Sequence, residues 1–248
     1  MKSINYEDSS YPVRADFAEG HNRYWQRLAS PGAWLSAEQR IALAREVRQA
    51  PSCELCRQRK AALSPYQVDG EHETDSTELS AVMVEVVHRL VTDSGRITRS
   101  WFEGILEKGL KVEEYIEIIG TVVHVFSIDE FARAIGVPQR ELPPAGSGAP
   151  STYRPQQLEE NVAWVPMLPQ IIDDGPEADL WDGKLEGNVI RALSLVPDEV
   201  RSLQDLLKIH YLDDAEFGDF EKSPQGTLSR IQTEVVAARV SAFNGCFY

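Results

Sequence analysis

Apolar residues recur at helical spacing along most of the chain, and the alternation that is typical of a β-strand is nowhere sustained. Ser36 and Gln39 form a capping-box pattern, in which each side chain bonds a backbone amide of the first helical turn. The apolar positions that follow have helical spacing: Ile41, Leu43, Ala44 and Val47. They predict a helix from Ser36 to about Ala50, because Pro51 cannot continue the hydrogen-bond ladder, and a second helix that opens at residues 51–53.

Further segments carry the same helical pattern: 78–91, 98–108, 112–134, 188–195 and 198–212. Segment 112–134 is apolar nearly all round, which predicts a helix buried inside the fold. The polar N-terminal residues, up to about Ala29, predict a leader with one short helix. The pattern as a whole predicts an all-α fold.

Proline, glycine and serine are concentrated in residues 138–157, which is the composition of a linker. We therefore place a domain boundary there. The predicted organisation is a first helical domain at 1–137, a linker and irregular segment at 138–187, and a second, incomplete helical unit at 188–248.

Residues 30–55 align without a gap on residues 223–248, and eight of the 26 aligned positions are identical. The identical pairs are Ser30/Ser223, Pro31/Pro224, Leu35/Leu228, Ser36/Ser229, Gln39/Gln232, Ala44/Ala237, Val47/Val240 and Cys53/Cys246. They fall on the loop, the capping box, the inward face and the cysteine that opens the next helix. This pattern predicts two copies of one helical unit.

The chain has 248 residues, a formal net charge of −14 and an isoelectric point of about 4.8. Such a charge repels phosphate backbones and anionic lipid surfaces, so nucleic acid and membrane partners are not expected. The sequence has no apolar stretch of membrane-spanning length and no secretory signal pattern. Both observations predict a cytoplasmic protein.

The candidate chemistry lies at the cysteines. Cys53 and Cys56 form a Cys-x-x-Cys pair, and breakers before Cys53 and Cys246 predict that both residues lie at helix N-termini. The amides and dipole of a helix N-terminus favour thiolate and make the sulfur a better nucleophile. Because Cys53 and Cys56 are one helical turn apart, they are close enough to form a disulfide with modest adjustment.

These features resemble the alkylhydroperoxidase-D-like and carboxymuconolactone decarboxylase superfamily. Its redox members carry a Glu, eleven residues, Cys-x-x-Cys, three residues and a His. Residues 228–248 resemble the start of that motif, with Glu234 twelve positions before Cys246, and residues 109–138 resemble the helix that follows it.

The resemblance implies thiol-dependent reduction of a peroxide or a disulfide. Cys53, Cys56, Glu234 and Cys246 are the implied catalytic residues. The implied partners are a peroxide or small-molecule substrate, or a thiol/disulfide reductant. It also implies a homo-oligomer.

Neither copy carries the complete motif. In the first, Ile41 stands at the Glu position and Lys60 at the His position, so the acid/base relay that activates the thiol is missing. In the second, the chain ends at Tyr248, where the next residue of the motif is the second cysteine. We therefore expect the natural protein to continue beyond Tyr248.

Two alternatives stay open at the sequence level: a catalytically degenerate helical module for assembly or binding, and a non-redox protein similar to the decarboxylases. Cys53, Cys56, His72 and His88 have the chemistry of a Cys2His2 zinc site, but their spacing matches no standard ligand pattern. His88 lies in an apolar run, where a hydrogen-bonded core histidine is the usual explanation. We therefore assign no metal and no cofactor from the sequence. Glu117 and His124 share a face of the buried helix, which predicts a structural pair.

Overall fold

The computed structural model describes residues 3–181, 183–212, 219, 221 and 227–246. Nine α-helices lie in this described part: α1 (Ala15–Leu28), α2 (Ala37–Gln49), α3 (Glu54–Ala61), α4 (Ala81–Asp93), α5 (Arg99–Glu107), α6 (Val112–Ala134), α7 (Asn188–Arg191), α8 (Pro197–His210) and α9 (Arg230–Phe243). Within the same residues there is no strand, and the β-type pairing is an isolated antiparallel bridge between Glu159 and Met167. The all-α prediction is confirmed.

Helices α2, α4 and α6 pack against one another and form the centre of the first compact unit, Met1–Leu203. Leu43 of α2, Val87 of α4 and Ile118 of α6 are fully buried in it. Helix α6 has neighbours on more than one side, so burial requires apolar residues around most of its surface. Its observed bounds match the predicted segment.

The capping box of α2 places the cysteine-bearing helix. The Gln39 backbone amide donates to Ser36 Oγ at 3.2 Å, and the Ser36 amide donates to Gln39 Oε1 at 3.0 Å. A short 3₁₀ turn, Ala50–Ser52, contains Pro51 and turns the chain into α3. Cys53 is the N-cap residue of α3, as the sequence predicts.

The predicted linker lies along the first unit without forming a helix. The Gly146 amide donates to the Ala29 carbonyl, and the Thr152 amide donates to the Ala33 carbonyl, both at 2.7 Å. These bonds satisfy backbone groups that a helix would otherwise pair internally. The segment therefore belongs to the first unit.

The second compact unit is Gln204–Tyr248. Its helix α9 begins with a second capping box, in which the Gln232 amide donates to Ser229 Oγ at 3.3 Å and Gln232 Oε1 accepts from the Ser229 amide at 2.9 Å. The two capping boxes of the aligned segments are thus both formed. The arrangement of two equivalent copies stays a prediction, and Ser223 and Pro224 lie outside the described residues. Among the helices that the structure describes, none combines the length and apolar character that crossing a membrane requires.

Candidate functional site

The first turn of α3 presents two sulfur atoms to the protein interior. Cys53 is the N-cap residue, and Cys56 lies three residues later on the same turn. Both are buried, with Cys53 fully inaccessible and Cys56 4 % exposed, and neither forms a disulfide. The pair packs with Leu55 and Val68, so a small apolar cluster holds it in place.

Two histidines from different parts of the chain meet these sulfurs. His72 comes from the irregular segment between α3 and α4, and its Nδ1 lies 3.5 Å from Cys53 Sγ and 3.6 Å from Cys56 Sγ. His88 comes from α4, and its Nδ1 lies 3.2 Å from Cys56 Sγ. The two imidazole rings are 4.2 Å apart between centroids. Both rings therefore direct the same nitrogen toward the thiol pair.

A carboxylate contacts the second ring nitrogen, Nε2, of each histidine. His72 Nε2 lies 2.7 Å from Glu85 Oε2, and His88 Nε2 lies 2.8 Å from Glu46 Oε2. An Nε2–H that donates to a carboxylate leaves Nδ1 as the acceptor, so each carboxylate fixes the tautomer of its ring.

Further donors hold the carboxylates themselves. Glu85 accepts hydrogen bonds from Arg59 at 2.7 Å and from Trp101 Nε1 at 3.0 Å. Glu46 accepts a hydrogen bond from Thr74. The two carboxylates are thus positioned by side chains of three different segments.

The surroundings raise the pKa of His72 and lower the pKa values of Cys53, Glu85 and His88. Burial acts to raise the pKa of the Cys53 thiol, but hydrogen bonds from His72 and from backbone amides hold it below its usual value. Burial acts to lower the pKa of His72, but hydrogen bonds to the two sulfurs and to Glu85 raise it to about 10. The pKa of Glu85 is about 2, because hydrogen bonds from His72 and neighbouring donors outweigh burial. Burial lowers the pKa of His88, which Glu46 opposes only in part. This pattern favours a thiolate–imidazolium pair at Cys53 and His72 beside a neutral His88.

The four potential ligand atoms of Cys53, Cys56, His72 and His88 all lie within 4.8 Å of one another. Two kinds of chemistry are compatible with this arrangement: thiol–disulfide exchange with imidazole assistance, and coordination of one metal ion by two sulfurs and two nitrogens.

A cavity of about 240 Å³ opens beside the site. Arg59 and Glu85, which contact His72, form part of its wall, together with Tyr66, Arg89 and Trp101. The cavity therefore approaches the thiol pair as far as the carboxylate behind His72. It is large enough for a small molecule and too small for a folded partner.

The structure brings together the Cys2His2 set that the sequence offered as one possibility, but the sequence does not identify the carboxylates behind the two histidines. At the positions where the family motif has its relay, Ile41 is buried in the core and Lys60 is exposed, with its ammonium 3.6 Å from Asp93. The relay groups come from elsewhere: Glu46 and His88 form one set, and Glu85 and His72 form the other. The available sequence signal is the presence of Glu46, Glu85 and His88 in helical segments and of His72 in a segment without periodicity. That signal gives no information about which of them meet.

The candidates in the second compact unit lie in a different setting. Glu234 accepts hydrogen bonds from Tyr211 at 2.7 Å and from Arg230 at 2.6 Å, and these bonds hold its pKa below the usual value. Cys246 is exposed, and its amide donates to the Ser241 carbonyl at the end of α9. From Glu234 to Ser241 the helix rises by about 10 Å, so the carboxylate and the cysteine lie toward opposite ends of α9.

The predicted pair of Glu117 and His124 is not a hydrogen-bonded pair. Glu117 accepts hydrogen bonds from Arg40 at 2.9 Å and from the Trp34 amide at 2.7 Å. His124 donates through Nδ1 to the Gly120 carbonyl at 2.6 Å. The two residues share a helix face, as predicted, but each has its own partners.

Comparisons with protein-family models, with curated proteins and with solved structures found no match to this chain.

Proposed function

We propose that this protein is a dithiol redox protein that uses Cys53 and Cys56 to reduce a small peroxide. The observation that carries the proposal is the geometry of the pair: two thiols on one helical turn, each within 3.2–3.6 Å of an imidazole that is itself backed by a carboxylate. These groups supply the thiolate activation and the proton transfer that peroxide reduction needs. The resemblance to alkylhydroperoxidase-D-like proteins supports the same reaction.

The chemical steps follow from the positions of the sulfurs. Cys53 lies at the helix N-cap, where backbone amides favour thiolate, and we assign it as the attacking sulfur. Its attack on a peroxide ROOH breaks the O–O bond, forms a sulfenic acid and releases ROH once the leaving oxygen is protonated. Cys56 then condenses with the sulfenic acid, which forms the disulfide and releases water. Overall, two thiols and ROOH give a disulfide, ROH and water, and a small thiol reductant restores the pair.

The burial of the site narrows the choice of oxidant. Cys53 is fully inaccessible and Cys56 is 4 % exposed, so the disulfide of a folded protein cannot approach either sulfur closely enough for exchange. We propose that hydrogen peroxide or a small organic peroxide enters from the adjoining cavity, whose wall includes Arg59 and Glu85, the residues that contact His72.

The test uses reduced, chelator-treated protein and one equivalent of hydrogen peroxide. We expect a disulfide between Cys53 and Cys56, seen by mass spectrometry as the loss of two hydrogens in the peptide that holds both residues. Cys56→Ser should stop at the sulfenic acid of Cys53, which dimedone traps. Cys246→Ser is the matched control and should form the disulfide at the wild-type rate.

One result would contradict the redox proposal. If peroxide oxidises Cys246 while both Cys53 and Cys56 remain alkylatable after denaturation, the proposal fails. In that case the alternative of a helical binding module, which needs no reactive thiol, becomes the better interpretation.

A further inference from the structure

We propose that Cys53, Cys56, His72 and His88 form a binding site for one Zn²⁺ ion, with both histidines as Nδ1 ligands. The inference goes beyond the redox proposal and does not depend on it.

The distances between the donor atoms agree with a single tetrahedral ion. Zinc lies about 2.3 Å from thiolate sulfur and about 2.0–2.1 Å from imidazole nitrogen, which requires about 3.3–3.8 Å between neighbouring ligand atoms. Three of the four sulfur–nitrogen distances at the site are 3.2, 3.5 and 3.6 Å, and all four donors lie within 4.8 Å of one another. The ligands thus surround one common centre, and a movement of about 1 Å or less closes the longest separation to the tetrahedral value.

The groups behind the ligands are those of a metal-bound histidine. A ligating imidazole commonly donates its other N–H to a carboxylate, which fixes the tautomer and orients the ring. Glu85 and Glu46 accept from the Nε2 atoms at 2.7 and 2.8 Å, so both Nδ1 atoms point to the centre of the cluster, where a metal ion would take the place of the Nδ1 proton of His72. A hydrogen-bonded core histidine requires one such partner, whereas two histidines with the same orientation around two sulfurs indicate a ligand set.

The chemistry of the donor set selects the class of metal. Two thiolates and two imidazoles in a tetrahedral arrangement suit Zn²⁺, whereas Mg²⁺ and Ca²⁺ require oxygen ligands. Two thiolates also balance the charge of the dication, so the loaded site is neutral in its buried position. The four ligands leave no open position, which is the arrangement of a structural zinc site.

The site joins three parts of the chain, and it adds to the ion pair between Arg59 of α3 and Glu85 of α4. The ligands come from the start of α3, the irregular segment between α3 and α4, and the middle of α4. A metal ion here anchors the irregular segment through His72. It also occupies both sulfurs, so the zinc-loaded form and the disulfide form exclude each other.

The experiment measures metal binding by the reduced full-length chain. After chelator treatment and desalting, Co²⁺ is added as a spectroscopic probe and then displaced by Zn²⁺. We expect saturation at about one ion per chain, intense visible bands of tetrahedral Co²⁺ and a thiolate-to-cobalt charge-transfer band. X-ray absorption on the zinc form should show two sulfur and two nitrogen neighbours.

Variants separate this site from adventitious binding. Cys56→Ser and His72→Ala should remove the charge-transfer spectrum or shift it, and each should weaken binding at least tenfold. Glu85→Gln should weaken binding about 10–100-fold, because it loses the carboxylate behind His72. The matched controls Cys246→Ser and His210→Asn should bind as the wild type does. Circular dichroism shows whether each variant keeps its helices.

Two results would overturn the inference: an octahedral cobalt spectrum without sulfur charge transfer in the wild-type protein, or unchanged affinity in folded Cys56→Ser and His72→Ala. The redox proposal is judged separately, on the metal-free protein. Disulfide formation without metal binding removes only the zinc site, and metal binding with peroxide-inert thiols removes only the redox function.

Discussion

Gly120 lies within α6, at a point where the side chain of Glu199 packs directly on the helix backbone. A Cβ atom at this position would overlap the Glu199 carboxylate, which is fully buried and held in an ion pair with Arg27. Gly104, in the middle of α5, has no atom within 4 Å of an added Cβ. One helical glycine is therefore required by packing, and the other is not.

Gly120 and Gly104 give a prediction in which the substitution of one is the control for the other. Gly120→Ala should lower the free energy of unfolding by about 1–3 kcal/mol, because the side chains around it must shift to make room. Gly104→Ala should raise it by about 0.5–1 kcal/mol, because alanine has the higher helix propensity. Urea denaturation followed by circular dichroism measures both. Equal effects of the two substitutions would contradict the packing described for α6.

The sequence predicts the local features of the site but not the contacts between residues that are distant in the chain. Cys53 and Cys56 were identifiable because a helix start and a Cys-x-x-Cys pair are local patterns. His72 lies 16 residues beyond Cys56 in a segment without periodicity, so nothing local shows that it returns to the sulfurs. Glu46 and Glu85 occupy ordinary helical positions, and their role depends on how α2 and α4 pack.

At the scale of single elements, the capping box of α2 is well placed for a test. Ser36→Ala removes the side-chain acceptor of the Gln39 amide and should cost about 0.5–2 kcal/mol of stability. Ser36→Thr keeps a hydroxyl acceptor and should recover most of the loss. Chemical denaturation of the three proteins measures the differences. If Ser36→Ala unfolds as the wild type does, the cap contributes nothing to the start of α2.

Helix positions were predicted well where periodicity and punctuation agree. The observed bounds of α6 coincide with the apolar segment, and Pro51 ends α2 as expected. Helix α7 is shorter than the predicted segment, because its last turns tighten into i→i+3 bonds, such as that from the Leu193 amide to the Ile190 carbonyl. The pattern specifies which face is apolar, but it does not specify where tertiary contacts end a helix.

At the scale of the whole first unit, buried charges join helices that are distant in sequence. Arg40 of α2 bonds Glu117 of α6 at 2.9 Å, and Arg27 of α1 bonds Glu199 of α8 at 2.8 Å. Arg40 also lies 3.7 Å from Glu199, which links the two pairs into one network. The buried part of the network contains two cations and two anions, and Arg27 also lies 3.7 Å from the exposed carboxylate of Asp198. Gly32 makes room for it, because a side chain there would overlap Glu117.

Because its charges are buried, we expect the stability of the protein to depend strongly on each residue of this network. Arg40→Met should destabilise the protein by about 3–5 kcal/mol, because it leaves buried carboxylates without their compensating charge. Arg201→Met, which removes the partly exposed ion pairs of Arg201 with Asp179 and Asp198, should cost only about 0–1 kcal/mol. Adding Glu117→Gln to Arg40→Met should recover part of the loss, since it removes the carboxylate that was left unpaired. Denaturation of the single and double variants measures this coupling. If the losses of unfolding free energy simply add, Arg40 and Glu117 stabilise the helices independently of one another.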